Sequence, residues 1–404
     1  AGDGVIVAAQ LDASGRKKIR RFIFDGKGHK DASLESDVVE RFLPDNKKAP
    51  ADFLKDFIIW VHSRPECEAK HYCLICWTDG SLSTEIPTGK EPQKKIDDRR
   101  RQDFLLPVQL RLALEEVRKT GRDKFDIIGM DACNMSMVED TYELRDCAEF
   151  LIASEEEIPN HSWPYAQLLP IFRDHKDDIP VICKMVAREY KRAYEDYIFN
   201  KSTGLNRVTL SSMRLARMPR VTGPLDELAV ALLQASIFDA NTRRAIVSAR
   251  QKAMGFVVGL FVDLRGFSDL LRTELTIRNI RNEELKAACT RVCDAITTLD
   301  EETQVVIENA TFEPHRCHGL SIFLPLVTAA DQNEINRVRD SKGGTDVLNK
   351  SRQERMAQIV GYYSSLKLAH DTRWLEFITV AWPRCLAEEQ PSEVCERLSV
   401  QACA

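Results

Sequence analysis

The feature that most constrains this chain is an alternation of short apolar runs with amphipathic helical stretches between residues 71 and 154. His71–Trp77, Phe125–Met130 and Phe150–Ser154 have the composition of strands, and the first is apolar almost throughout, which is typical of a strand buried on both faces. Leu105–Lys119 and Ser136–Cys147 lie between them and carry apolar residues at helical spacing. This order predicts an α/β fold with a doubly wound, mainly parallel sheet flanked by helices.

The rest of the sequence extends this core at both ends. Two further strands are predicted at Val5–Leu11 and Arg20–Phe24, followed by a helix at Ala51–Ser63. The second half is richer in helical periodicity, which marks Lys176–Phe199, Val221–Gln234, Asn241–Met254, Phe267–Arg278 and Glu283–Leu299. We therefore predict a core over residues 1–200, a helix-rich part over 201–380 whose apolar run 319–326 rejoins the core sheet, and an irregular tail over 381–404.

Composition excludes several classes of protein. Of the 404 residues 44% are apolar, and 57 basic residues nearly balance 62 acidic ones, so the net charge is only −5. A disordered chain and a nucleic-acid-binding protein are both disfavoured by these values. No apolar run is long enough to cross a bilayer, and the first residues lack the pattern of a secretory signal peptide. The twelve cysteines do not show the paired spacing of a disulfide framework. This predicts reduced thiols and a cytoplasmic protein, with secretion after removal of a leader as the alternative.

Two strand ends carry polar residues that are candidates for chemistry. Trp77-Thr78-Asp79-Gly80 follows one predicted strand, and Met130-Asp131-Ala132-Cys133 follows the next. In an open parallel sheet, functional groups collect beyond the carboxyl ends of the strands. A cysteine between a strand and a helix lies near a helix N-terminus, which favours the thiolate. A small buried hydrophobic side chain is the ordinary alternative for such a cysteine.

The segment FDIIGMDACNMSMVEDTYELRDCAEFLIASEEEIPNHSWPYAQLL resembles the signature of the clostripain family of cysteine peptidases. Other segments, such as VTLSSMRLA, FVDLRGFSDLL and GLSIFLPL, resemble family landmarks in the same order, so the resemblance spans nearly the whole chain. It implies a caspase-like fold with a Cys/His dyad. It also implies that Cys133 is the nucleophile and that Asp131 lies at the base of a pocket for arginine or lysine. Gly80 and Cys133 would supply the backbone N–H groups of an oxyanion hole, and Ser154 would line the pocket.

The sequence departs from the family at the dyad histidine. Members carry Trp-x-His-Gly after the third strand, whereas this chain has Trp77-Thr78-Asp79-Gly80, with the flanking tryptophan and glycine fixing the register. Histidine, whose ordinary pKa is about 6.5, can stabilise a thiolate and then protonate the leaving amine. Aspartate is a poor proton donor at neutral pH, and its charge raises the pKa of a nearby thiol. The resemblance therefore implies a peptidase whose dyad is broken.

Another histidine could in principle replace the missing one. His62 and His71 belong to the opposite edge of the predicted sheet, and His315 and His318 precede a strand, which also places them at the wrong end if that strand is parallel. His161 alone follows a strand end on the correct edge. We therefore keep His161 as the candidate surrogate base, although a general base must meet strict geometry.

The long polar stretch 81–103 lies between the two dyad positions. Its basic residues, which would suit the Asp131 pocket as a site of activating cleavage, are Lys94, Lys95, Arg99, Arg100 and Arg101. A solvated surface loop is the equal alternative.

A zinc site is a further possibility to test against the sequence. The candidate ligands are Cys67, His71, Cys73 and Cys76, or Cys289 and Cys293 with the segment 315–318, and neither set matches the spacing of a familiar zinc module. We therefore predict no metal and no cofactor.

Two classes of function remain open. The first is a cysteine endopeptidase that cleaves after arginine or lysine through an acyl-enzyme, and the second is a non-catalytic homologue that binds basic peptides or a regulatory protein through the same pocket. The DAC and SEE elements favour the first class, and Asp79 favours the second. Both readings predict a peptide or protein partner, and neither involves nucleic acid or a membrane.

Overall fold

The computed structural model describes residues 4–11, 19–24, 38–42, 50–78, 107–121, 124–159, 161–199, 208–256, 259–326 and 361–387. Its strands are β1 (Val7–Leu11), β2 (Ile19–Phe24), β3 (Val38–Phe42), β4 (Cys73–Trp77), β5 (Phe125–Asp131), β6 (Ala148–Ala153), β7 (Thr209–Arg214), β8 (Gly255–Phe256), β9 (Phe261–Asp263), β10 (Val306–Thr311) and β11 (Ser321–Phe323). Its helices are α1 (Pro50–His62), α2 (Pro107–Arg118), α3 (Val138–Glu143), α4 (Tyr165–Asp174), α5 (Ile179–Phe199), α6 (Pro219–Phe238), α7 (Ala240–Lys252), α8 (Leu264–Ile277), α9 (Glu283–Thr297), α10 (Lys367–Asp371), α11 (Trp374–Glu376) and α12 (Trp382–Ala387).

The central sheet has the strand order β10-β7-β6-β5-β4. β4, β5 and β6 run parallel, while β7 is antiparallel to both of its neighbours, so the sheet is mixed but mainly parallel, as predicted. The expectation that the first of these strands is buried on both faces is wrong. Leu74 and Cys76 on one face of β4 are buried, whereas on the other face Ile75 is half-buried and Trp77 is 71% exposed; among the described strands, β4 lies at the edge of this sheet.

Helices cover both faces of this sheet because the side chains of its strands alternate in direction. On β5, Ile127 belongs to one apolar core with Trp163 and residues of α4 and α5. Ile128 and Met130 belong to a larger core with residues of α1, α2 and α6–α9. The five helices predicted in the second half are confirmed, each within a few residues of its expected bounds.

Two smaller sheets lie beside the central one. β1, β2 and β3 form an antiparallel sheet of their own, although the sequence indicated no strand at β3. β11 pairs antiparallel with β9 in the sheet β11-β9-β8. This differs from the expectation that residues 319–326 rejoin the core sheet. Among the described residues, the run has one isolated β-bridge outside this sheet, a parallel one between Met137 and Ser321, and its ladder of paired residues is formed with β9.

The chain remains ordered beyond residue 380, which also differs from expectation. A π-helical turn at Phe377–Ala381 leads into α12, where Trp382 and Cys385 are buried. The indole of Trp382 donates to the carbonyl of Pro325 at 2.9 Å, which fixes this segment against the end of the 319–326 run. Residues 388–404 of the predicted tail lie outside the described residues. Of the helices in the described ranges, none is long and apolar enough to span a membrane.

Candidate active site

Cys133 lies in a turn that follows the carboxyl end of β5. Asn134, the next residue, has a φ of 56°, a left-handed conformation that reverses the chain, and its N–H donates to the carbonyl of Glu156 at 3.1 Å. The helix expected over Ser136–Cys147 is present but shorter, because α3 begins only at Val138, five residues after the cysteine, and has six residues. The thiolate-stabilising effect expected of a helix N-terminus therefore has no support in the structure.

The sulfur of Cys133 contacts the segment that follows β6. The backbone N–H of Ile158 donates to Sγ at 3.2 Å, and the carbonyl of the same residue lies 3.9 Å from Sγ. Cys133 is only partly buried, and these two contacts fix the position of its sulfur. The N–H of Ile158 can donate to the sulfur in either form, whereas the carbonyl accepts only from the thiol, so the contacts position the sulfur without selecting the thiolate. The sequence could not indicate Ile158, because the group involved is a backbone amide.

Asp131 is the last residue of β5 and is 2% exposed. Its Oδ2 accepts hydrogen bonds from the hydroxyls of Ser162 and Tyr165 (2.7 Å for the tyrosine) and from the N–H of Trp163 at 3.2 Å. Its Oδ1 is buried and accepts no hydrogen bond from the residues that the structure describes. A buried carboxylate oxygen without a donor is costly, and such groups concentrate at functional sites.

Local packing explains why segment 162–165 reaches Asp131. Gly129 shares a sheet face with Asp131, and a Cβ at Gly129 would lie 2.9 Å from the ring of Trp163. Glycine therefore gives the indole room to lie on β5. Ser162 has a φ of 62°, and its carbonyl accepts from the hydroxyl of Tyr194 at 2.6 Å. The sequence marked Trp-Pro-Tyr as a family motif but gave no indication that this segment supplies donors to Asp131.

Ser154 directly follows β6 and is fully buried. Its hydroxyl lies 2.9 Å from the hydroxyl of Thr209 and donates to the carbonyl of Glu156 at 2.9 Å. The side chain thus shapes the turn that contacts Asn134, and a substrate contact by Ser154 stays a prediction. The next residue, Glu155, is also buried and accepts from the N–H of Gly319 at 2.9 Å.

The dyad position and the basic loop lie outside the described residues. This applies to Asp79 and Gly80 and to the predicted cleavage residues Lys94, Lys95, Arg99, Arg100 and Arg101. The strand that leads to them is described. β4 ends at Trp77, which pairs in register with Asp131, and the N–H of Thr78 donates to the carbonyl of Asp131 at 3.4 Å.

The histidines considered as replacement bases occupy three different regions. His71 lies at the start of β4, where its Nδ1 is 2.9 Å from Asp126, and the ring of His62 stacks against Tyr72 nearby; both belong to the edge opposite Cys133, as predicted. His161 is exposed and precedes Ser162, so it lies beside the segment that holds Asp131. Its role as a surrogate base stays a prediction.

His318 requires a correction, because its neighbour Gly319 donates to Glu155, which follows β6, so this histidine lies at the same edge of the central sheet as Cys133. The ring is engaged on both sides, with Nδ1 2.7 Å from Asp263 and Nε2 2.6 Å from Arg265. These contacts leave neither ring nitrogen available to accept a proton from a thiol. Within the described ranges, no group of three or more His, Cys, Asp or Glu side chains is arranged to hold a metal ion.

Comparison with known proteins places this chain in a family. The sequence model of the clostripain family matches residues 23–325. An inactive zymogen C11 protease from Parabacteroides distasonis aligns over 91% of this chain and 87% of its own, with a TM-score of 0.51 and 17% identity. A secreted C11 cysteine protease from Bacteroides thetaiotaomicron, solved with an irreversible peptide inhibitor, aligns over 82% and 86%, with a TM-score of 0.52 and 17% identity. No curated protein sequence matches. At such identities the structural likeness shows the fold, and the extent of the family match shows that the chain belongs to the clostripain family of cysteine peptidases.

Proposed function

We propose that Cys133 is the nucleophile of a clostripain-type peptidase site and that Asp131 binds an arginine or lysine side chain of a peptide substrate. The observation that carries this proposal is the Oδ1 atom of Asp131, a buried acceptor without a donor, two residues before a partly accessible thiol. A cationic side chain supplies the donor that this oxygen lacks. The hydrogen bond from Ile158 to Sγ supports the role of the sulfur.

The chemistry would follow the acyl-enzyme route. The thiolate of Cys133 attacks the scissile carbonyl carbon, and the backbone N–H groups of Cys133 and Gly80 stabilise the oxyanion. The amine then leaves with a proton, and water hydrolyses the thioester. The in-register pairing of Trp77 with Asp131 supports this assignment, because it brings the end of β4 beside the end of β5.

The proton for the leaving amine is the missing part. Asp79 occupies the position of the dyad histidine, and an aspartate cannot serve both as base and as acid near neutral pH. We therefore propose that the chain as written is inactive or strongly impaired as a peptidase. The alternative function, favoured by Asp79 itself, is that of a pseudopeptidase that binds basic peptides or a regulatory protein partner.

Asp79→His tests the dyad. General acid–base catalysis contributes about 10²–10⁴-fold, so we expect kcat/KM on Arg and Lys peptides to rise by at least about 100-fold over the chain as written. Asp79→Asn is the matched control, because it removes the charge without supplying a base, and Cys133→Ala in the Asp79→His background should abolish cleavage. Equal inertness of Asp79→His and the original chain, with Cys133 still open to alkylation, would show that the dyad is wrongly assigned.

Asp131→Ala tests the pocket separately from the chemistry. Binding of basic peptides to the full chain should be lost in this variant, whether or not the chain cleaves them. Unchanged affinity would remove Asp131 from the pocket. If the chain binds basic peptides but its Asp79→His variant does not cleave them, the alternative of a non-catalytic binding protein is favoured.

Location and maturation stay proposals. The ten cysteines in the described part of the chain form no disulfide with one another, which supports a cytoplasmic, reducing setting, with secretion as the alternative. Cleavage at the basic loop 90–101 would need an active site, so we expect purified material to be intact there unless Asp79→His restores activity.

A further inference from the structure

The two carboxylate oxygens of Asp131 have very different surroundings. All three donors to this side chain, from Ser162, Trp163 and Tyr165, converge on Oδ2. Oδ1 accepts no hydrogen bond although it is buried. One oxygen is therefore saturated by the protein, and the other is left for a ligand.

The fold holds these donors in place. The hydroxyl of Tyr194 fixes the carbonyl of Ser162 at 2.6 Å, while Tyr165 is the first residue of α4. Burial raises the pKa of Tyr165, and the charge of Asp131 and the hydrogen bond to it add to the effect. The phenol therefore stays protonated and continues to donate. A ligand would have to displace a fixed donor in order to reach Oδ2.

A second polar atom near Asp131 also lacks a partner. The hydroxyl of Tyr190 is buried without a hydrogen bond. The ring of Tyr190 lies 5.0 Å from that of Tyr194, whose hydroxyl holds Ser162, so Tyr190 lies near the residues that bind Asp131. Burial raises the pKa of Tyr190, so its hydroxyl stays protonated. Since Oδ1 of Asp131 has no exposed surface, a ligand reaches it only after the covering side chains shift.

We propose that this pocket selects lysine over arginine, and that Ser162 and Tyr165 set the selectivity by occupying Oδ2 of Asp131. This inference rests on the proposed function. A lysine ammonium is a compact charge that one carboxylate oxygen can bind. An arginine guanidinium presents a planar fork that binds both carboxylate oxygens at once. With Oδ2 occupied, one arm of the fork is buried without an acceptor, which weakens binding.

The experiment measures the affinity of two fluorescent peptides that differ only in a final Lys-amide or Arg-amide. The full-length Cys133→Ala chain is used so that no bond is cleaved, and binding is followed by fluorescence anisotropy. We expect the lysine peptide to bind about tenfold more tightly, the equivalent of one charge-assisted hydrogen bond. Equal affinities, or tighter binding of the arginine peptide, would overturn the selectivity and leave the pocket assignment standing.

Two variants test the assigned residues. Tyr165→Phe removes one donor to Oδ2, and Ser162→Gly removes another at a position whose left-handed φ suits glycine. Each should reduce the lysine preference to less than about threefold, chiefly by improving arginine binding. Tyr72→Phe, at the opposite edge of the sheet, is the control and should leave the ratio unchanged.

The outcomes separate this inference from the proposed function. Equal weakening of both peptides in Tyr165→Phe and Ser162→Gly would mean that these residues only support the structure, and it would refute the selectivity mechanism. Failure of both peptides to bind the parent chain, or binding that Asp131→Asn does not change, would refute the pocket itself. A lysine preference that narrows in either folded variant supports the inference.

Discussion

Glu139 on α3 offers a quantitative test of the structure that follows the turn at Cys133 and Asn134. The side chain is 2% exposed, and its Oε1 accepts from the N–H of Phe323 and the hydroxyl of Tyr363, both at 2.9 Å. Burial raises the pKa of Glu139 from 4.5 to about 7, although these hydrogen bonds act in the opposite direction. The folded protein therefore holds a proton on Glu139 at pH values where the unfolded chain has released it.

The sign of the pH dependence follows from this difference. Because the pKa is raised on folding, the contribution of Glu139 to stability is fully present below pH 4.5 and is lost as the pH rises towards 7. The difference in proton binding between the folded and unfolded chain lowers the free energy of unfolding by about 2.5 kcal/mol between pH 5 and pH 8. For a chain of this length, this corresponds to a fall of about 3 °C in melting temperature. Asp140 adds to the trend, since burial raises its pKa well above the ordinary value, with the charges of Glu139 and Glu143 contributing.

The assay compares the melting temperatures of the parent chain and Glu139→Gln across pH 5–8. Glutamine keeps the acceptor oxygen for Phe323 but cannot ionise. From pH 5 to pH 8, the free energy of unfolding of the variant should therefore rise by about 2.5 kcal/mol relative to that of the parent. Glu116→Gln is the matched control. Glu116 is exposed, and its hydrogen bond and ion pair with Lys119 lower its pKa, so its loss should give no such gain. A difference between parent and Glu139→Gln that is constant from pH 5 to pH 8 would refute the reasoning.

Two glycine substitutions test the packing that supports the site. Gly129→Ala should displace the Trp163 ring and lower the unfolding free energy by about 1–3 kcal/mol in urea titrations, with weaker binding of the lysine peptide. Gly223→Ala, whose Cβ would meet nothing within 4 Å, is its control, and equal stability of the two variants would contradict the argument. Gly319→Ala should cost at least about 2 kcal/mol, because its φ is 95° and the new Cβ would lie 2.8 Å from the hydroxyl of Ser211. Gly121→Ala is its control, because Gly121 has a similar φ but no atom lies within 4 Å of the new Cβ. If Gly121→Ala lowers the free energy of unfolding as much as Gly319→Ala does, the whole effect comes from backbone strain and none from the contact with Ser211.

The sequence predicted the helices and strands whose pattern of apolar residues shows which of their faces is buried. Apolar periodicity located α1 and the helices of the second half, and the compact apolar runs located β5 and β6. It did not indicate β3, because Val38–Phe42 is half polar and only partly buried. It also ended the ordered chain too early, since Pro383 and the polar residues after it concealed that Trp382 and Cys385 are buried.

Relations between distant segments could not be predicted in this way. The apolar run at 319–326 indicated a buried strand, but a strand's sequence does not specify which partner accepts its hydrogen bonds, and β11 pairs with β9 instead of the core. At the candidate site, Cys133 and Asp131 are predicted from the resemblance to a family motif, and their roles stay predictions. The contacts that position these two residues, from the backbone of Ile158 and the hydroxyl of Ser162, belong to a loop whose path depends on the whole fold.

The arrangement separates the groups that would bind a peptide from the group that would transfer a proton. Oδ2 of Asp131 is held by donors from segment 162–165, and Sγ of Cys133 is contacted by Ile158, so both are positioned by the chain after β6. The dyad position, by contrast, follows β4, an edge strand. Because different segments position the two functions, a substitution at residue 79 can remove cleavage without removing the acceptor for a basic side chain. We therefore expect a chain with Asp79 to bind the peptides that its Asp79→His variant cleaves, and with the same preference between lysine and arginine.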